Sequence, residues 1–298
     1  MRNIIIDNIN YGFVRDFKQD KDIRTSFNHL TEVTFGFNFE EWYLGGYWDK
    51  QYLPYSLLHD NKVISNVSVN RIEFIIAEEK KIGIQIGTVM TAKEYRNRGL
   101  NKYLLGQILE EWKEKADFIY LFANSSVLEF YPKFNFEIVN EYQYSKSVNE
   151  TDNTSSIKRL NIEDPKEKEF LEENLKMSVP ISKLAMYNNT SLIMFYCLSI
   201  KKNSMYYIEV LKTIVIADFD GDTLYLNDVF CKENVNLNDV IKVMSGKGVK
   251  KVVLGFAPLN ETDYNRSLLK ADDTLFVLKD KVDYFKDTLW MFPVLSHA

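Results

Sequence analysis

The chain has 298 residues, 46% of them hydrophobic, which is enough apolar material for two cores, so two domains are expected. A formal net charge of −5 argues against a nucleic-acid-binding surface, which needs a basic patch. No apolar run approaches a membrane span and Met1–Asn10 lacks the features of a secretory signal, so a cytoplasmic protein without nucleic-acid or membrane partners is expected.

Cys197 and Cys231 are the only cysteines and stand among apolar residues, which reads as a reduced, buried pair of thiols rather than a disulfide. The three histidines are scattered and form no metal motif.

In chain order, Asn3–Asn38 is helical in its middle. From Phe35 to Asp49 the chain then concentrates rings, glycines and carboxylates. Two readings stand side by side there: a local core, or an acceptor pocket whose rings form the walls and whose Glu40, Glu41 or Asp49 attracts a cationic amine. Tyr55–Leu58, Lys62–Val69 and Arg71–Ala77 read as strands, with His59-Asp60-Asn61 as the first turn. They lead antiparallel into a further strand, Ile84–Met90.

The stretch Ile84–Phe136 carries the most information. After its apolar strand comes a polar loop with Arg96-Asn97-Arg98-Gly99, then a helix placing Leu100, Leu104, Ile108 and Trp112 on one face, then a short apolar run at Phe118–Ala123. This is a βαβ unit, so its two strands should be parallel neighbours. Where the loop enters the helix, backbone N–H groups lack intrahelical partners and point outward at the positive end of the helix dipole, a ready anion site. Gly99 permits close backbone approach, and Arg96, Arg98 and Lys102 add positive charge. By itself an Arg-x-x-Gly is more often a solvated surface turn.

Arg96-Asn97-Arg98-Gly99-Leu100-Asn101 in this context resembles the acyl-CoA loop of the GNAT superfamily of N-acetyltransferases, with Asn101 where the family has Gly or Ala. The resemblance continues through the strand ending Leu121-Phe122-Ala123-Asn124 and through Phe130-Tyr131-Pro132-Lys133-Phe134-Asn135-Phe136, where Asn135 replaces a Gly. It implies a mixed α/β GNAT acyl-CoA N-acyltransferase fold, a mixed central sheet with flanking helices, over 1–148. A polar linker, 149–156, and a degenerate GNAT-like copy over 157–298 follow; the two-domain form resembles, more weakly, the enhanced-intracellular-survival acetyltransferases without their last domain.

Further expectations rest on the same resemblance. Acetyl-CoA is the cosubstrate, with no metal, and a small-molecule or peptide amine is the acceptor. The thioester carbonyl lies against backbone N–H groups near Val89, Met90 and Thr91, where the two central strands splay. Arg96, Asn97, Arg98, Gly99, Leu100, Asn101 and Lys102 hold the pyrophosphate, and Asn124 either bonds the pantetheine arm or caps the next helix. Tyr131 protonates the departing thiolate. Some relatives have a Glu base on the first central strand, but Gln85 stands at that position, and an amide cannot take a proton in that role. The base is left open between a carboxylate of the aromatic loop, a water chain, and the carboxylate of Ala298 aided by His297. A catalytically weak acyl-CoA sensor or scaffold is the competing reading.

In the second half, Ile157–Leu160, Ser191–Ile200, Met205–Ala217, Thr223–Phe230, Val249–Phe256, Thr274–Leu278 and Trp290–Leu295 read as strands, with helices around Lys166–Lys176 and Asn238–Ser245. The loop Cys231–Asn236 has no Gly and fewer cations than Arg96–Lys102, so it should not hold a pyrophosphate. The Asp-rich turn 218–222 lacks the spacing of a calcium loop.

Overall fold

The computed structural model describes residues 1–149, 157–246, 248–285 and 288–297. The chain starts with a hairpin of β1 (Arg2–Ile6) and β2 (Ile9–Arg15), turned by Asp7 and Asn8 at φ 50° and 63°. Asp and Asn tolerate that left-handed pair of conformations, which matches the twist of the strands. Helix α1 (Lys21–Phe35) starts at Asp20, whose carboxylate accepts from the N–H groups of Asp22 and Ile23, and stops at Gly36. A short helix α2 (Glu40–Leu44) follows, then β3 (Tyr52–His59), β4 (Lys62–Ile76) and β5 (Glu79–Thr91). The expected break between Val69 and Arg71 does not occur. Asn70 is buried and pairs with Gln85, so β4 continues through it.

Helix α3 (Leu100–Trp112) buries Leu100, Leu104, Ile108 and Trp112, the face expected from their spacing, together with Leu105, and β6 (Phe118–Asn124) runs parallel to β5. Strands β7 (Phe136–Ile138) and β8 (Tyr142–Ser147) complete the first half.

The second half contains β9 (Ile157–Arg159), α4 (Pro165–Lys176), β10 (Leu184–Tyr187), α5 (Thr190–Leu198), β11 (Met205–Ile208) and β12 (Thr213–Asp220). It continues with β13 (Thr223–Cys231), α6 (Leu237–Met244), β14 (Lys251–Leu254), β15 (Asn265–Leu268) and β16 (Asp273–Leu278). The expected strand at 191–200 is the helix α5. Every residue from Ser191 to Cys197 is buried, so the segment has no polar face and its apolar run carries no helical period. Trp290–Leu295 is irregular and ends in a single 3-10 turn at Val294–Ser296 rather than forming a strand. Both cysteines are free and buried.

Two mixed sheets result. One runs β1-β2-β3-β4-β5-β6-β16-β7 with β10 added to β4, and the other runs β15-β8-β14-β13-β12-β11-β9. In each, a long antiparallel hairpin leads into a parallel β-α-β step, β5-α3-β6 or β13-α6-β14. The halves also exchange strands. β16 inserts between β6 and β7, while β8 pairs with β14 and β15. One core cluster lies under α3; a larger one joins the opposite face of the first sheet to α1, α4 and α5.

Candidate active site

The site is built where β5 and β6 part. Their parallel register runs from Gly83–Phe118 to Ile86–Leu121 and then stops. Beyond that point, the N–H groups that Gly87–Thr91 turns toward the β6 side have no strand partner there. The opening is sharpened by a bulge: Ser68 faces Gly87 and Asn66 faces Met90, so Thr88 and Val89 together oppose Val67. Thr88 sits at φ 47°, in the left-handed region that β-branched residues resist. Bulges of this kind re-aim backbone groups beside active sites.

At the end of β5 the chain passes through a 3-10 turn, Lys93–Tyr95, and two left-handed residues, Asn97 at φ 62° and Gly99 at φ 71°, before α3 begins. The first helical bond is Tyr103 N–H to Gly99 C=O, 3.0 Å, and no side chain caps the helix. The N–H groups of Leu100, Asn101 and Lys102 therefore have no acceptor among the described residues. A Cβ at residue 99 would meet no protein atom within 4 Å, so the space in front of these donors is open.

Arg96 donates to the Thr91 carbonyl (3.2 Å) and Arg98 to the Glu94 carbonyl (2.8 Å), which pins the loop back on itself. Neither they nor Lys102 has a carboxylate partner among the described residues. Asn101 explains its own departure from Gly or Ala: its Oδ1 accepts from Ser65 Oγ (2.7 Å) and Thr91 Oγ1 (3.0 Å) and ties the start of α3 to β4 and β5.

Asn124 ends β6 and caps the following turn, its Oδ1 accepting from Ser126 N–H at 3.0 Å and Ser126 Oγ at 2.5 Å. Tyr131 is 5% exposed and packs against Phe130, Phe136 and Phe276 at centroid distances of 5.2, 6.3 and 5.8 Å. Its hydroxyl has no hydrogen-bond partner among the described residues, and burial pushes its pKa up to about 12. Phe276 belongs to β16, so the exchanged strand forms part of the wall behind Tyr131.

The other face of the opening is lined by the end of the chain. Tyr120 stacks on Phe292 at 4.2 Å and donates to the Ser296 carbonyl at 3.4 Å. Phe122, one residue past the last β5–β6 pair, stacks on the His297 ring at 3.6 Å, and Tyr196 of α5 donates to the His297 carbonyl. Burial pushes the His297 imidazole down to about 3, and its Nε2 is buried with no partner among the described residues. Ala298 lies outside the described residues. Sequence reasoning missed Glu141: it is 7% exposed, accepts from Phe292 N–H at 2.8 Å, and is pushed up to about 7 by burial. Its only sequence signal is a carboxylate between an apolar strand and a run of tyrosines.

The aromatic stretch is packed core. Phe39, Trp42, Trp48 and Tyr52 contact one another, Phe39 and Trp42 also contact Phe195 of α5, and Trp42 Nε1 donates to the Ser191 carbonyl at 2.7 Å. Glu40 is engaged by Arg24 (3.1 Å) and Asn28 (2.8 Å), and Asp49 accepts from Gln51 N–H at 2.7 Å. Gln85 is buried with Asn70 Nδ2 at 3.5 Å.

In the second sheet the same step differs where it matters. Asn236 caps α6 by accepting from Asn238 N–H at 2.9 Å. The gap past Leu226 and Leu254 is bridged by the chain itself: Val179 N–H donates to Cys231 C=O (2.8 Å), Lys183 N–H to Ala257 C=O (2.9 Å), and Ser182 bridges Pro258.

The model of the acetyltransferase (GNAT) domain family matches residues 5–139. Over that stretch, a little under half of the chain, the sequence is similar to a GNAT acetyltransferase domain. Such a domain takes an acyl-CoA cosubstrate, and the open donors at Leu100–Lys102 fit its pyrophosphate. Three solved structures extend the likeness to both halves of the chain. A conserved protein from Enterococcus faecalis V583, described as a probable N-acyltransferase, is 15% identical with a TM-score of 0.59, over 90% of this chain and 73% of that one. A GCN5-related N-acetyltransferase from Kribbella flavida is 14% identical with a TM-score of 0.56, over 91% and 72%. Eis1 from Mycobacterium abscessus is 11% identical with a TM-score of 0.56, over 92% and 75%. At these identities the likeness concerns the fold. Among curated proteins none matches the sequence.

Proposed function

We propose that the protein transfers an acetyl group from acetyl-CoA to a primary amine by direct attack within the GNAT domain. The observation that carries this reading is the uncapped start of α3 at Gly99 beside the opening of β5 and β6. The N–H groups of Leu100–Lys102, with Arg96, Asn97, Arg98 and Lys102 around them, hold the pyrophosphate. The N–H groups near Val89, Met90 and Thr91 accept the carbonyl oxygen, and one well-aimed donor contributes about 3 kcal/mol as charge develops there. Tyr131 stays protonated at working pH and gives its proton to the departing sulfur.

Where Ala298 is the last residue of the protein, its carboxylate, with His297 beside it, takes the proton lost by the amine. The stacking of His297 on Phe122 brings this segment to the opening and supports that role; burial keeps the imidazole neutral, so its part is to position the terminus and not to take the proton. The experiment is acetyl-CoA turnover across a panel of primary amines, small-molecule and peptide, for the wild type, His297→Ala and a variant lengthened beyond Ala298. The reading expects turnover by the wild type and a fall of at least tenfold in both variants with unchanged CoA affinity. Tight CoA binding without transfer to any amine would instead support a sensor or scaffold.

A further inference from the structure

The bulge that opens the site is held by the side chain of Asn66 on β4. Thr88 is at φ 47°, a conformation that a residue branched at Cβ does not keep unaided. Its carbonyl, displaced from the ladder by the extra residue, accepts from Asn66 Nδ2 at 2.9 Å. Asn66 is fully buried and every polar atom of its amide is used. The second Nδ2 hydrogen goes to Ser68 Oγ at 2.9 Å, and Oδ1 accepts from Ser56 Oγ at 2.7 Å. Tyr52 closes the network from the other side, with its hydroxyl 2.9 Å from Ser68 Oγ and 3.0 Å from Thr88 Oγ1. The Thr88 carbonyl and hydroxyl are thus gripped separately, by β4 and by β3.

We propose that Asn66 is a positioning residue for acyl transfer: by holding the Thr88 carbonyl it fixes the bulge and so aims the following N–H groups at the thioester carbonyl. This rests on the acetyl-transfer reading above. Physically, a peptide plane is rigid, so fixing the oxygen of residue 88 also fixes the N–H of residue 89. If the bulge relaxed into regular ladder, those donors would turn toward β4 and leave the opening. The cost would appear in the chemical step, because the donors touch only the carbonyl and leave the pyrophosphate contacts at Leu100–Lys102 alone.

Two readouts test this on the full chain: steady-state kinetics, and the carbon-13 resonance of acetyl-CoA labelled at the carbonyl, which moves downfield when hydrogen-bonded. Asn66→Ala should lower kcat about a hundredfold, the effect of losing one such donor, with the KM for acetyl-CoA within about threefold. Its bound carbonyl should lose the downfield shift seen in the wild type. Asn66→Ala combined with Thr88→Gly should recover at least about tenfold in kcat, because glycine holds the left-handed conformation without a clamp. If Asn66→Ala does not fold, Asn66→Asp, which keeps the shape but cannot donate, is read by the same measurements. A kcat within about threefold of wild type, an unchanged carbonyl resonance, or no recovery in a folded double variant overturns the proposal. Failure of the wild type to bind acetyl-CoA overturns the underlying reading as well, and binding with a shifted carbonyl that ignores Asn66 overturns this inference alone.

Discussion

Replacing Tyr131 by Phe removes one oxygen atom and leaves the ring contacts with Phe130, Phe136 and Phe276 in place. Because that hydroxyl has no partner among the described residues, its loss breaks no protein hydrogen bond. Stability should therefore stay within about 1 kcal/mol of the wild type. A positioned general acid contributes about a hundredfold to ten-thousandfold, or roughly 3 to 5 kcal/mol of barrier. Burial raises Tyr131 to about 12, so the wild-type rate should show no descending limb from this group below about pH 10. The assay is thiol release with the best amine, beside calorimetric titration of CoA and thermal unfolding of both proteins. The expected result is a kcat lowered by at least a hundredfold with Kd for CoA and Tm preserved. A kcat within about threefold of wild type would refute the assignment, and a parallel loss of CoA affinity would make Tyr131 a binding group.

Asn101→Ala should cost about 1 to 3 kcal/mol in chemical denaturation by breaking the ties to Ser65 and Thr91, while acetyl-CoA affinity stays within about threefold because the backbone donors remain. Glu141 carries a folded pKa raised from 4.5 to about 7, so its contribution to stability is full below about pH 4.5 and is lost as pH rises through about 7. Glu141→Gln should abolish that part of the pH dependence and be more stable than wild type at pH 8 by up to about 3 kcal/mol; equal denaturation midpoints at pH 8 would show that burial does not raise the carboxyl's pKa.

The βαβ step and its buried helix face were legible because Leu100, Leu104, Ile108 and Trp112 repeat at helical spacing beside a Gly that begins the helix. Helix α5 was not, since a segment buried on every side has no periodicity to read. The placement of β16 between β6 and β7 joins residues far apart in the chain, and no local pattern encodes such a pairing. The bulge at Thr88 runs against the preference of a β-branched residue; its cause is the Asn66 amide on the neighbouring strand, a tertiary contact. The aromatic stretch from Phe35 to Asp49 was ambiguous because rings line pockets and fill cores equally well, and here α5 completes the core. The N-terminal hairpin was missed although its Asp7-Asn8 turn is a recognisable signal.

The central claim is that the uncapped start of α3 binds the pyrophosphate of an acyl-CoA. Calorimetric titration of the wild type and of Gly99→Glu with acetyl-CoA tests it most directly. The added carboxylate would stand in the open space before the donors, and its left-handed backbone costs only about 1 to 2 kcal/mol, so a folded variant is expected. The account predicts saturable binding by the wild type and at least a hundredfold weaker binding by the variant. Equal affinity in two folded proteins, or no binding by the wild type, would contradict it.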